Sequence, residues 1–151
     1  MTSTKVSRVI KASRKAVYRA LTDPGALAAW RVPDDMTAEM HAFDLRPGGR
    51  YRMSLTYTDP KGRPGKTTAN TDTFEGRFVE LVPDERVVEA VVFEADDTKF
   101  AGEMTLTTSL ADIDGGTLVT MVHENLPAGI RPEDNELGTS MALSKLGALL
   151  A

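Results

Sequence analysis

The longest predicted helix in the chain is its C-terminal stretch, residues 131–151, in which apolar positions recur with helical spacing. One face of the helical wheel carries the more apolar set, Thr139, Leu143, Leu146 and Leu150. A second, less apolar face carries Leu137, Met141, Ser144 and Ala148. Pro132 suits the first helical position, and the acidic residues near it oppose the positive end of the helix dipole. About twenty helical residues span roughly 30 Å, so this helix is long enough to cross a small domain.

The chain before this helix alternates mostly between apolar and polar positions, which predicts β-strands. The predicted strands are 5–11, 38–44, 50–57, 72–82, 86–94, 103–113 and 117–124. The most regular of them, 50–57, directs four residues toward the interior: Tyr51, Met53, Leu55 and Tyr57. Its other four residues are expected to face water: Arg50, Arg52, Ser54 and Thr56. A polar, Pro/Gly-rich hairpin tip is predicted from Asp59 to Lys66.

Two short helices are predicted between the first and second strands. Ser13 suits the N-cap of the first helix, which ends before Pro24 because proline disfavours helical geometry in the preceding residue. The second helix runs from Pro24 to Trp30. This order predicts an α+β fold in which a curved antiparallel sheet of six or seven strands wraps the long C-terminal helix. Any ligand is then expected between the sheet and that helix.

Composition narrows the class of protein without indicating a ligand. A chain of 151 residues is expected to form one domain, 1–151, with a substantial core. Its formal charge is -4 and its basic residues are scattered, which argues against a nucleic-acid partner. It contains no cysteine, and its sequence has neither a leader pattern nor a membrane span. These features predict a cytoplasmic protein.

The sequence contains no recognisable catalytic or metal-binding motif. Its two histidines, His41 and His123, belong to no zinc pattern, and there is no calcium loop, so no metal is expected. A nucleophile elbow and a phosphate-binding glycine loop are also missing, and we expect no cofactor.

His123 is the main candidate for polar chemistry. It follows Val119 and Met121 at a spacing of two, so it shares their face, which we expect to point toward the final helix. There it would orient a polar group of a ligand or act as a general base, because imidazole titrates near neutrality. The alternative is an ordinary hydrogen-bonded histidine near a strand end. Four acids lie at the sheet-to-helix junction: Glu124, Glu133, Asp134 and Glu136. Asp134 or Glu136 is a candidate partner of His123, and the alternative is that these acids serve the helix dipole.

A second candidate set consists of large apolar side chains: Trp30, Phe43, Tyr51, Met53, Phe74, Phe78, Phe93 and Met121. Such side chains are typical of a pocket lining and equally of an ordinary core. Gly76, between two phenylalanines, leaves space for another backbone or a ligand to approach closely. Asp72 and Glu89 would need partners or shifted pKa values if they face inward.

Five stretches together resemble the START/birch-pollen-allergen superfamily: RVIKASRKAVYRALTDPGALAAW, RPGGRYRM, FEGRFVELVPDERVV, GGTLVTMVHENLP and ELGTSMALSKLGALL. Within it, the chain is similar to the bacterial branch akin to the activator of the ninety-kilodalton heat-shock chaperone ATPase, often labelled polyketide-cyclase-like. The resemblance implies a helix-grip fold with a cavity between the sheet and the C-terminal helix. It also implies binding of lipids, hormones or polyketides, with cyclisation, dehydration or hydrolysis in a minority of members.

The resemblance to the superfamily extends to several short motifs of this sequence, but it implies no fixed set of catalytic residues. The matching positions are Gly48, Gly49 and Tyr51 in a turn, Phe74, Gly76 and Phe78 in a strand, and His123 in the last strand. Relatives usually carry Gly-Trp near the start of the last helix, whereas Thr139 follows Gly138 here, which implies a larger or more polar cavity. The predicted ligand-binding set also includes His123 on the last strand and two residues of the inner helix face, Thr139 and Leu143.

Three functions are compatible with these features. The first is binding of a hydrophobic or amphipathic small molecule. The second is an enzyme of the polyketide cyclase or hydratase kind that uses His123 as a base with Asp134 or Glu136 near it. The third is a protein-interaction module, either a homodimer packed through Met141 and Ala148 or a chaperone activator. Chaperone activators carry a separate N-terminal domain without a counterpart in this sequence, which disfavours a chaperone as the partner.

Overall fold

The computed structural model describes residues 2–59 and 70–151, and most of the predicted hairpin tip lies outside them. The strands are β1 Ser3–Ile10, β2 Met36–Phe43, β3 Arg50–Tyr57, β4 Thr71–Val82, β5 Arg86–Phe93, β6 Met104–Ile113 and β7 Gly116–Glu124. The helices are α1 Arg14–Leu21, α2 Pro24–Trp30 and α3 Pro132–Leu149. A short 3-10 turn, Thr98–Phe100, precedes β6 and was not predicted from the sequence.

The seven strands form one curled sheet in the order β1-β7-β6-β5-β4-β3-β2, and every neighbouring pair is antiparallel. With two short helices after the first strand and a long C-terminal helix, this is the predicted α+β helix-grip architecture. Consecutive strands are neighbours except at β1, which pairs with the last strand, β7. That pairing brings the two ends of the chain together beside α3, which contacts β1.

α3 buries the more apolar of its two predicted faces. Leu143 and Leu146 are fully buried, Thr139 is 7% exposed, and Leu150 is partly buried against the core. On the second face, Leu137 is 53% exposed and Ala148 is also exposed. The hydrophobic pattern therefore predicted correctly which side of the helix faces the sheet.

The two short helices are fixed at their N-termini by side-chain caps. The Ser13 hydroxyl accepts a hydrogen bond from the backbone N–H of Ala16 at 3.1 Å, as the sequence predicted. The Asp23 carboxylate caps α2 in the same way at Ala26, also at 3.1 Å. Trp30, at the end of α2, donates its indole N–H to the backbone oxygen of Ala20 at 3.0 Å, which ties α2 to α1.

The outer face of β3 departs from the predicted alternation at one position. Ser54 was expected to face water, but it is only 9% exposed. Its hydroxyl lies 2.8 Å from the Thr73 hydroxyl on β4 and 2.7 Å from Nε2 of His41 on β2. These side chains cover one another on the outer surface. The outward direction of Ser54 was therefore predicted correctly, but its exposure to water was not.

Candidate functional site

A cavity of about 440 Å³ lies between the inner face of the sheet and the N-terminal half of α3. Strands β2 to β7, the segment after α2 and the first turns of α3 all contribute to its wall. Much of that wall is aromatic or thioether: Met36, Phe74, Phe93, Phe100, Met104 and Met121. The cavity is therefore mainly apolar and lies where the fold was predicted to leave space.

The predicted ligand-binding residues divide into two groups. Five of them line the cavity: Phe74, Phe93, Met121, His123 and Thr139. The other six pack in or against the core outside the cavity wall: Trp30, Phe43, Tyr51, Met53, Phe78 and Leu143. Phe78 lies at the centre of this second group, with its ring centroid 5.7 Å from that of Phe43 and 5.4 Å from that of Tyr51. These rings support the wall from behind.

The polar part of the cavity is organised by one row of residues across the sheet. His123 on β7 pairs with Leu106 on β6, and Leu106 pairs with Glu89 on β5. Paired residues point to the same face of an antiparallel sheet, so His123 and Glu89 both face the interior with one residue between them. Two strand spacings separate them by about 10 Å.

Glu89 is held in a buried triad with Arg31 and Tyr51. Its Oε1 accepts hydrogen bonds from the Tyr51 hydroxyl at 2.5 Å and from Nη1 of Arg31 at 2.8 Å. Nη2 of Arg31 also donates to the Tyr51 hydroxyl at 3.3 Å, and the guanidinium lies 5.7 Å from the Tyr51 ring centroid. The side chains of Glu89 and Arg31 are 5% and 14% exposed. Glu89 therefore has the partners that an inward-facing acid requires.

The protonation states of this triad follow from burial and charge. Burial lowers the pKa of Arg31, but the interactions with Glu89 and Tyr51 together outweigh burial, so the pKa lies above its ordinary value. Burial also raises the pKa of Tyr51, since it disfavours the phenolate. At neutral pH, Arg31 is a cation and Tyr51 is a neutral phenol that donates to Glu89. Arg31 was not predicted as a site residue from the sequence. Its place immediately after α2, together with the need of Glu89 for a partner, was the signal available.

Gly76 on β4 makes room for the ring of Tyr51. A Cβ atom at this position would lie 2.1 Å from two ring carbons of Tyr51, so no larger residue fits without displacing the ring. The sequence predicted that a backbone or a ligand would use this space. That prediction was wrong in its occupant, because a side chain from the neighbouring strand β3 fills the space. Gly76 thus helps to place the Tyr51 hydroxyl beside Glu89.

His123 lines the cavity and is 8% exposed. Its Nδ1 is buried and has no hydrogen-bond partner among the described residues. Burial and, to a smaller degree, the positive charge of Arg31 lower the pKa of His123 to about 4, so the ring is neutral at physiological pH. Within the described part of the chain, no carboxylate is hydrogen-bonded to it. Asp134 lies at the cavity wall but is exposed, and Glu136 is exposed outside that wall.

Other polar side chains lie at or near the cavity wall. The Thr4 hydroxyl on β1 donates to the Asn135 side chain at 2.5 Å, and the Thr139 hydroxyl donates to the Asn135 backbone oxygen at 2.7 Å. Asp72 on β4 is buried and also lines the cavity.

In residues 2–59 and 70–151, no three histidine or acidic side chains converge on a metal-sized site. Every helix in these ranges is too short or too polar to span a lipid bilayer.

Replacing His123 with leucine is expected to reduce the acid sensitivity of the fold. Between pH 6.5 and about 4, the unfolded chain binds a proton at His123 and the folded chain does not. Stability supplied by the neutral ring is therefore complete above pH 6.5 and is lost as the pH falls through about 4. The difference amounts to at most about 3 kcal/mol. Urea unfolding at a series of pH values measures it.

His41→Leu is the matched control, because His41 is the other histidine and is exposed. We expect His123→Leu to have a flatter pH dependence of stability than either the wild type or this control. Parallel stability curves for the wild type and His123→Leu would show that His123 is not held neutral by the fold.

Comparison with known proteins agrees with this architecture. Residues 11–151 match the family described as Activator of Hsp90 ATPase homolog 1-like protein. A crystal structure of a protein from Chromobacterium violaceum is 34% identical, covers 98% of this chain and 96% of its own, and superposes with a TM-score of 0.86. A search of curated proteins found no match.

Two more distant structures share the fold. An AHSA1-like protein from Aeromonas hydrophila is 19% identical, covers 97% of this chain and 90% of its own, and has a TM-score of 0.72. A protein of the dynemicin biosynthetic locus is 19% identical and has a TM-score of 0.68, with coverage of 98% of this chain and 46% of its own. From the match over residues 11–151 and the 34% identical relative, this chain belongs to the family of activator of Hsp90 ATPase homolog 1-like proteins.

Proposed function

We propose that this chain binds a small, largely apolar molecule in the cavity between the sheet and α3. The observation that carries the proposal is a cavity of about 440 Å³ with mainly apolar walls and a few polar groups. Small-molecule sites in proteins typically enclose about 300–1,000 Å³ and have this kind of lining. A ligand that buries about 200 Å² of apolar surface there gains about 5 kcal/mol before the entropic cost of binding.

The family relationship supports small-molecule binding as a class. The helix-grip fold leaves space between its sheet and its long helix. Relatives usually carry a tryptophan at the position of Thr139, and in this chain the smaller threonine lines the space instead. One structural neighbour comes from the dynemicin biosynthetic locus, which associates that protein with small-molecule biosynthesis. At 19% identity the likeness concerns the fold, so the identity of the ligand rests on the cavity of this chain.

Replacing Thr139 with tryptophan is expected to occupy part of the cavity and to weaken binding. Thr139 is 7% exposed and lies on the cavity wall, so an indole at this position occupies the space that a ligand needs. We expect the affinity for the neutral fluorescent probe N-phenylnaphthylamine to fall at least about tenfold. Ser140→Trp is the matched control, because Ser140 is exposed on the same helix and outside the cavity wall. Equal probe binding by both variants and the wild type would contradict the proposal.

Catalysis is a second candidate function, favoured by the position of His123 in the cavity wall. A base whose conjugate acid has a pKa of about 4 is weak at neutral pH, and His123 lacks a carboxylate partner among the described residues. Binding therefore has the better support. Native mass spectrometry of freshly purified protein tests both functions, since it detects a co-purifying molecule and any homodimer together. A molecule chemically altered by the wild type but not by His123→Asn would favour catalysis.

A further inference from the structure

Two nitrogen-bearing side chains of the cavity wall, Arg31 and His123, are associated with one row of the sheet. His123 and Glu89 lie in one row of the sheet with Leu106 between them, and Arg31 reaches Glu89 from the end of α2. Arg31 and His123 both line the cavity, whereas Leu106 is fully buried behind it. A ligand that enters between the sheet and α3 thus meets a cationic and a neutral nitrogen group beside apolar walls.

Arg31 has hydrogen-bonding capacity left after its contacts with the triad. A guanidinium carries five N–H donors. In the described part of the chain, one donor is directed to Glu89 and one to the Tyr51 hydroxyl, which leaves three. Because Glu89 and Tyr51 fix the guanidinium in place, donating to a ligand requires no further ordering of the Arg31 side chain.

His123 is the second group with unused hydrogen-bonding capacity. No side chain among the described residues is hydrogen-bonded to its Nδ1, and the ring keeps its polar capacity while facing mainly apolar walls. Since the ring is neutral, it presents one N–H donor and one acceptor. His123 is 8% exposed and lines the cavity, but its Nδ1 is buried, which leaves Nε2 as the ring nitrogen that can donate to a ligand.

The charge balance at this place distinguishes between two kinds of ligand oxygen. Glu89 already neutralises Arg31 through a 2.8 Å ion pair, and both side chains are largely buried. A ligand carboxylate would bring a second negative charge to the same guanidinium in a poorly solvated site, which is unfavourable. A carbonyl oxygen accepts hydrogen bonds and brings no net charge.

We propose that Arg31 and His123 recognise an uncharged carbonyl oxygen on an otherwise apolar ligand. The ligand class is a neutral ketone, ester or lactone with a hydrophobic body of a size that fits about 440 Å³. The inference rests on the proposed binding function and adds the chemistry of the group that is bound. The triad residues Glu89 and Tyr51 act as positioning residues, because they hold Arg31 and do not line the cavity.

Three naphthalene derivatives with similar substituents at one ring position test the proposal: acetylnaphthalene, ethylnaphthalene and naphthoate. They present a neutral carbonyl, a hydrocarbon and a carboxylate on the same apolar body. Calorimetric titration gives the affinity of each for the wild-type protein and for the variants. The readout is the change in affinity between wild type and variant for each compound, so differences in hydrophobicity among the compounds cancel.

Two variants remove the polar groups without leaving a buried charge. We expect His123→Leu to weaken acetylnaphthalene binding about fivefold to tenfold and to leave ethylnaphthalene unchanged. The double variant Arg31→Met, Glu89→Gln should weaken acetylnaphthalene at least about tenfold, because a charged donor is lost. Arg131→Met is the control, since Arg131 also lines the cavity but is exposed and pairs with Glu133. Arg131→Met should not weaken the binding of acetylnaphthalene more than that of ethylnaphthalene.

An infrared measurement gives a readout that does not depend on affinity. The carbonyl stretch of bound acetylnaphthalene should lie at lower frequency in the wild type than in either variant, because hydrogen bonds to the oxygen weaken the double bond. Ketone and hydrocarbon affinities that change equally in the variants, or tighter binding of naphthoate than of the ketone, would overturn the proposal while leaving small-molecule binding intact. Failure of all three compounds to bind the wild type would overturn the proposed function as well.

Discussion

Replacing Glu89 with alanine is expected to lower the free energy of unfolding by about 3–5 kcal/mol. The Glu89 side chain is 5% exposed, and its Oε1 accepts hydrogen bonds from both Arg31 and Tyr51. Truncation removes the counter-charge of a guanidinium that is itself 14% exposed, so a positive charge stays buried without compensation. Urea unfolding followed by circular dichroism at neutral pH measures the change.

Two further variants separate the effect of burial from that of charge pairing. Glu80→Ala removes an acid from an ion pair with Arg86 in which both side chains are more than 40% exposed, and its expected effect is within about 1 kcal/mol. The double variant Arg31→Met, Glu89→Gln removes both charges of the buried pair, so we expect it to be more stable than Glu89→Ala. If Glu89→Ala and Glu80→Ala have the same small effect, the triad is not buried and coupled as described.

Replacing Leu143 with alanine is expected to lower the free energy of unfolding by about 2–5 kcal/mol. Leu143 is fully buried at the centre of the apolar face of α3, so truncation leaves a void between the helix and the rest of the core. The same denaturant unfolding experiment measures the loss. A decrease of this size would show that contact with the core holds α3 in place.

Leu149→Ala is the matched control for this substitution. It removes the same atoms from the same helix, but Leu149 is 46% exposed, so the expected change is less than about 1 kcal/mol. A Leu143→Ala protein no less stable than Leu149→Ala would mean that α3 does not pack through the face assigned to it.

Most of the secondary structure could be predicted because its causes are local. Ser13 caps α1 through a hydrogen bond to a residue three positions along the chain, and Pro24 favours the first turn of α2. The alternation in β3 depends only on neighbouring residues. The predicted strand boundaries differ from the observed ones by two residues or fewer. The apolar face of α3 was predicted for the same reason, since it follows from the spacing of residues along one helix.

The cavity wall could be predicted only in part. Phe74, Phe93 and Met121 line the cavity, whereas Phe78 and Tyr51 pack outside it. All of these side chains are large and lie on inward-facing strand positions, and no local property separates the two groups. The curvature of the sheet and the position of α3 decide which inward residues meet the space and which meet one another.

The sequence alone determined the order of the elements and the faces of β3 and α3 that point inward, because each depends on periodicity within one segment. The helix-grip plan followed from that order together with the family resemblance. Only the tertiary structure brought Arg31 to Glu89 and Tyr51, filled the space above Gly76 with a phenol ring, and left Nδ1 of His123 without a partner. These contacts join residues that are tens of positions apart. They depend on strand register, including the irregularity between Phe78 and Glu80, which no single segment encodes.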